Sequence, residues 1–201
     1  MTGHDFNRTV RRCIGMLPWL FVLAAAAQLA RAAEDFVVVN EPVEIPERGK
    51  VMGHCIIANG QRFSFIPPYE WRMESNRSEQ SVTFTRRTLD TAVRIRLLPP
   101  HGEGEEPDEE RWQRLVKSRY PDAEIIRQFV CHTGSHSGIA FDLRQDFGGN
   151  LQLQSRVAFV AHPKGVLEIG QSGLAGTAEP SYEEFGTLLT SLRISGQTAG
   201  K

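Results

Sequence analysis

The chain has 201 residues, a formal net charge of −1 and a sequence pI near 6.6. This length suits one ordinary domain after any targeting segment is removed. The charge balance gives no footprint for nucleic acid, which would need a clustered basic face. At the N-terminus, Arg8, Arg11 and Arg12 precede an apolar run from Ile14 to Ala27, and Ala30-Arg31-Ala32 supplies small residues at the positions a signal peptidase reads. Residues 1–32 therefore read as a cleaved secretory signal, with cut sites after Ala32 or Ala33. The run is shorter than the ~20 residues a lasting membrane helix needs, so no stable span is expected after cleavage. The chain is expected to be exported, to a periplasm or fully outside the cell. Removing residues 1–32 leaves 19 basic and 23 acidic side chains, a formal charge of −4.

Residues 33–54 read as an extended arm. Pro42 and Pro46 and the alternating Glu41, Glu44 and Glu47 oppose a helix. A single domain is expected over 55–197, opening with a hairpin around Asn59-Gly60, a pair suited to the positive φ angles of a type I′ turn. Period-two runs follow at Val82/Phe84, Val93/Ile95/Leu97, Ile139/Phe141/Leu143, Leu151/Leu153/Val157/Phe159 and Val166–Ile169. Links as short as Gly148-Gly149-Asn150 and Pro163-Lys164-Gly165 make neighbouring strands antiparallel. Two helices interrupt them. One begins at Pro107 with Asp108, Glu109 and Glu110 in its first turn, buries Trp112, Leu115 and Val116, and stops at Pro121. The other pairs Ser181 with Glu184 as a capping box and carries Tyr182, Phe185, Leu188, Leu189 and Leu192 on one stripe. The expected fold is α+β: an antiparallel sheet of about six to seven strands packed with two amphipathic helices.

Three segments resemble the Mog1/PsbP-like fold group. They are Phe63 to Trp71, a strand followed by prolines and a Trp-bearing second strand; the pair Val82-Thr83-Phe84 and Val93-Arg94-Ile95; and the closing Tyr182…Phe185…Leu188-Leu189…Leu192-Arg193-Ile194. The resemblance covers about residues 61–195 and implies an α/β sandwich. It also implies a non-enzymatic role, the group including photosystem II extrinsic subunits, a Ran-binding nuclear factor and bacterial envelope proteins of unassigned role.

Cys13 leaves with the signal, so Cys55 and Cys131 remain and are expected to pair in an oxidising compartment. That bridge would contribute about 2–4 kcal/mol. The alternative is a zinc or copper site built from His54, Cys55, Cys131, His132 and His136, whose thiolates and imidazoles suit those ions; otherwise no cofactor is expected. Gly134-Ser135-His136-Ser137-Gly138 has the outline of a nucleophile elbow, but His136 stands where the serine belongs and a hairpin turn is the expected setting. The acidic run from Glu103 to Glu110 lacks the spacing of an EF-hand loop and reads as a solvated loop and helix start. Asn76-Arg77-Ser78 is a glycosylation sequon. Arg94, Arg96, Arg144 and Arg156 lie on the polar parity of their strands and could form a cationic face for an anionic partner. No acid–base or nucleophile constellation stands out. The expectation is a non-catalytic exported accessory protein that binds a protein partner in the cell envelope and no nucleic acid, with the metal-binding module as the alternative.

Overall fold

The computed structural model describes residues 36–45, 49–67, 70–88, 91–100, 108–149, 151–175 and 182–196. The expected signal at 1–32, the expected loop and helix start from Glu103 to Pro107 and the expected Ser181 cap lie outside them. Among the described residues, eleven strands and two helices follow in chain order: β1 (Val37–Ile45), β2 (Gly49–Ala58), β3 (Gln61–Phe65), β4 (Arg72–Asn76), β5 (Ser81–Thr85), β6 (Thr91–Leu98), α1 (Glu109–Arg119), β7 (Glu124–His132), β8 (Ser137–Asp146), β9 (Gln152–His162), β10 (Gly165–Leu174), α2 (Tyr182–Ser191) and β11 (Arg193–Gly196). The strands form two sheets, a large one ordered β4-β5-β6-β10-β9-β8-β7 and a small one ordered β1-β2-β3-β11. Every pairing in them is antiparallel.

The local signals explain most of these elements. Asn59 and Gly60 take φ of 52° and 71°, joining β2 to β3 through a turn of the type that matches strand twist. Asp108 caps α1 by accepting a hydrogen bond from the Arg111 N–H at 2.8 Å, Glu109 and Glu110 sit at the positive end of its dipole, and Lys117 and Arg119 at the negative end. Two expectations change. The arm is not separate from the domain: Val37 to Ile45 pairs residue by residue with Ile57 to Gly49, so the sheet begins well before Cys55. Pro42 is tolerated because β1 lies at a sheet edge, where a missing N–H can face away from the ladder. The small sheet is also additional to the single sheet expected.

The large sheet is covered on both faces. On its outer face, α1 lays Trp112, Leu115 and Val116 on Phe141, Leu143, Val157 and Phe159. Trp112 and Phe159 stack with centroids 6.0 Å apart. On its inner face, Val82, Phe84, Val93, Ile95, Ala140, Ala158, Leu167 and Ile169 share one core with Ile56, Phe63 and Phe65 of the small sheet and Phe185, Leu188 and Leu189 of α2. Successive residues of a strand point to opposite faces, which is why Phe159 serves one core and Ala158 the other.

Candidate functional site on the outer sheet face

α1 covers only part of the outer face. Past its C-terminal end, over β5, β6 and β10, lies a concavity of about 440 Å³. Arg94 and Arg96 project into it from β6, Arg119 and Tyr120 from the end of α1, and Glu168 and Gly170 from β10. Glu168 is 4% exposed, a carboxylate that burial would penalise without partners. It accepts hydrogen bonds from Arg119 Nε at 2.9 Å and from the Tyr120 hydroxyl at 2.6 Å. Burial, reinforced by the Glu168 charge, pushes the Tyr120 phenol far above its ordinary range, so it stays a proton donor. A second concavity of about 550 Å³, over β4 and β5, shares Thr83 and Arg94 with the first, so the two form one trough.

Glu79, in the turn between β4 and β5, ion-pairs with Arg94 and lies 3.5 Å from Arg96. The Nε atoms of both arginines are buried without a hydrogen-bond partner among the described residues.

The four expected arginines do not share a face. Register runs Arg96 to Glu168 to Phe159, and Arg94 to Gly170 to Val157, all on the outer side. Arg156 stands opposite Asp142, and Arg144 opposite Gln154, on the inner side. Arg156 is held there by Asp142 at 2.7 Å and lies 3.5 Å over the Tyr182 ring, and Arg144 ion-pairs with Glu124. Hydrogen bonds from Arg156 and Arg127 outweigh burial and hold the Asp142 carboxyl below its usual range. Equal parity within separate strands says nothing about relative faces until the pairing register is known. Arg119, Tyr120 and Glu168 were missed because they come from a helix end and a separate strand. The only trace of them in the sequence is Glu168 within the apolar run Val166–Ile169.

Cys55 and Cys131 are both unpaired and buried in the structure. Cys55 alternates with His54 and Ile56, which face the inner core, so its thiol lies on the opposite face of the small sheet, beside Ser64 and Glu41. Cys131 belongs to the inner core. The small sheet therefore stands between the two sulfurs. Burial raises both thiols, Cys131 to about 11. Glu41, which burial pushes up, is held below its usual range by hydrogen bonds from Ser64 and Cys55 and by Arg62.

His54 stacks on Phe84 with centroids 5.9 Å apart, and His132 is exposed beside Ser137. Among the described residues no group of three His, Cys, Asp or Glu is placed to hold a metal ion. The Gly134–Gly138 segment is a hairpin turn between β7 and β8, as expected, and it latches the two sheets. The Gly134 N–H donates to the Leu192 carbonyl at 2.9 Å, and the Ser135 hydroxyl accepts from the Ile194 N–H at 3.0 Å. A Cβ at Gly134 would collide with the Arg193 guanidinium. Among the described residues no helix is long and apolar enough to cross a membrane.

No protein-family model matches the chain, and no curated protein matches it. Among solved structures it is similar to a crystal structure from Bacteroides thetaiotaomicron, with a TM-score of 0.42 and 13% identity over 69% of this chain. The match spans 46% of that other chain.

Proposed function

We propose that this chain is a non-catalytic accessory protein, exported to the cell envelope, that binds a protein partner through the outer trough of its large sheet. The observation that carries this reading is the joined concavity over β4, β5, β6 and β10, lined by Arg77, Arg94, Arg96 and Arg119 with Glu74 and Glu168, while α1 packs on β8 and β9 of the same face. Its polar groups are arranged for holding. Glu168 is tied to Arg119 and Tyr120, and a phenol kept protonated is a hydrogen-bond donor rather than a base. The export signal read in residues 1–32 supports the compartment. The resemblance of residues 61–195 to the Mog1/PsbP-like group, together with an antiparallel sheet covered by two helices, supports the finer fold assignment and the non-enzymatic role.

The test has two arms. Expressed with its own N-terminus, the protein should be recovered outside the cytoplasm, beginning at Ala33 or Glu34. A photoreactive residue in place of Thr83, inside the trough, should then capture one partner of discrete mass. The same label at Met52, an exposed position on the small sheet, should not. Cytoplasmic retention with residues 1–32 intact removes the export reading, and equal capture from both positions removes the trough.

A further inference from the structure

Arg94 and Arg96 stand two residues apart on one strand, so alternation brings both guanidiniums to the outer face. A single carboxylate serves them. Glu79 ion-pairs with Arg94, lies 3.5 Å from Arg96, and is itself 49% exposed. It reaches them from a tight turn, Arg77–Gln80, closed by the Gln80 N–H to the Arg77 carbonyl at 3.1 Å, with Gln80 at φ 46°. Glu168, opposite Arg96, is taken up by Arg119, and Glu74 lines the trough beside Thr83 and Arg94, so Glu79 is the carboxylate paired with the two guanidiniums; each guanidinium retains a buried Nε that finds no partner among the described residues. The pair is thus only part-satisfied by the group that occupies it. That group shows which chemistry fits: a planar carboxylate between two guanidinium forks.

Resting on the binding role proposed above, we propose that the Arg94/Arg96 pair reads a carboxylate on an acidic segment of the partner, with Glu79 as resident occupant, displaced when the partner docks. Displacement is easy because Glu79 is half-exposed and on a turn, and an ion pair in that setting contributes little net stability. The trough is open and continuous across Thr83 and Arg94, a shape for an extended segment more than for an enclosed small molecule. Residues 33–201 carry a formal charge of −4, so an acidic partner is repelled from most of the surface and attracted at this spot, which sets its orientation.

The experiment titrates isotopically labelled mature protein with a hexaglutamate peptide at low ionic strength, following the Thr83 and Arg94 amide shifts. Glu79→Gln should bind the peptide about two- to fivefold tighter than wild type, the ratio expected for removing an exposed competing pair. Arg94→Gln, whose side chain is 42% exposed and whose fold is checked by circular dichroism, should abolish saturable binding in either background. Added salt should weaken binding to wild type and to Glu79→Gln alike. Wild-type affinity in Glu79→Gln, or in Arg94→Gln, overturns the proposal. So does saturation by succinate without any response to the peptide, which would make the site one for small carboxylates. If the peptide fails while cross-linking from Thr83 persists, the carboxylate assignment falls and the binding face stands; if both fail, both fall.

Discussion

Gln171 offers a stringent test of the packing of the large sheet. It is 0% exposed on the inner face of β10, opposite Val93 on β6 and Arg156 on β9. Neither its amide nitrogen nor its oxygen has a hydrogen-bond partner among the described residues. The Arg156 guanidinium is engaged by Asp142 at 2.7 Å and 3.1 Å. In the unfolded chain water satisfies both atoms of the amide, so folding forfeits those bonds. An unmet buried polar group costs about 1–3 kcal/mol. Methionine has nearly the same unbranched shape and no such requirement, and a swap of similar volume loses little in packing. Gln171→Met is therefore expected to stabilise the fold by about 1–3 kcal/mol. At about 2–4 °C per kcal/mol for a chain of this size, the melting midpoint should rise by about 2–12 °C. Urea unfolding followed by tryptophan fluorescence checks it, with an unchanged slope confirming that stability, and not denatured-state compactness, has moved. A loss of stability of about 1 kcal/mol or more at unchanged slope would refute the reasoning and show that the amide makes interactions the fold depends on.

Three further expectations concern the core, the histidines and the thiols. Trp112→Ala removes the ring stacked on Phe159 and should cost about 3–5 kcal/mol in the same urea assay; a cost below about 1 kcal/mol would mean α1 is not anchored there. His162 is depressed to about 4 by burial, with the His136 charge adding to it, and its ring packs edge-on against Phe63 at 5.0 Å. A base with a depressed folded-state pKa is protonated first in the unfolded chain, so its contribution is full above about pH 6.5 and drains as pH falls from there toward 4. After discounting for partial exposure this amounts to about 1–2 kcal/mol, and His162→Gln should flatten the stability profile in that window. An unchanged profile would remove His162 as the cause. Finally, both cysteines should be protected from a thiol reagent in the native protein and should both titrate in denaturant without reductant, since each is free and buried; a count of zero would mean a bridge forms and the sheet arrangement between the sulfurs is wrong.

Much of this architecture is legible in the residues themselves. Asn59-Gly60 has one economical backbone solution, and it made the β2–β3 hairpin. Period-two runs marked β5, β6, β8, β9 and β10 because each buries one parity or divides its parities between two cores. The charge gradient along Glu109–Arg119 marked α1, while Asp108, expected in its first turn, is its cap. These signals are local: each depends on neighbours in sequence. Of the strands that the period-two pattern missed, two were hidden for equally local reasons. A register shift between Ile125 and Arg127 breaks the alternation of β7, and prolines and glutamates hide β1.

What the sequence could not decide is relation between elements. Arg94 and Arg156 each sit on the polar side of a strand, yet they lie on opposite faces because register, a long-range property, sets the relative phase of β6 and β9 through β10. Cys55 and Cys131 count as a pair in the sequence but occupy separate compartments, since alternation along β2 turns one sulfur away from the core that holds the other. The trough joins Arg94 and Arg96 of β6, Arg119 and Tyr120 of α1 and Glu168 of β10. No spacing along the chain encodes that meeting. It arises only when β10 inserts between β6 and β9 and α1 lies across half of the sheet they form, bringing side chains as far apart as Arg94 and Glu168 into one concavity.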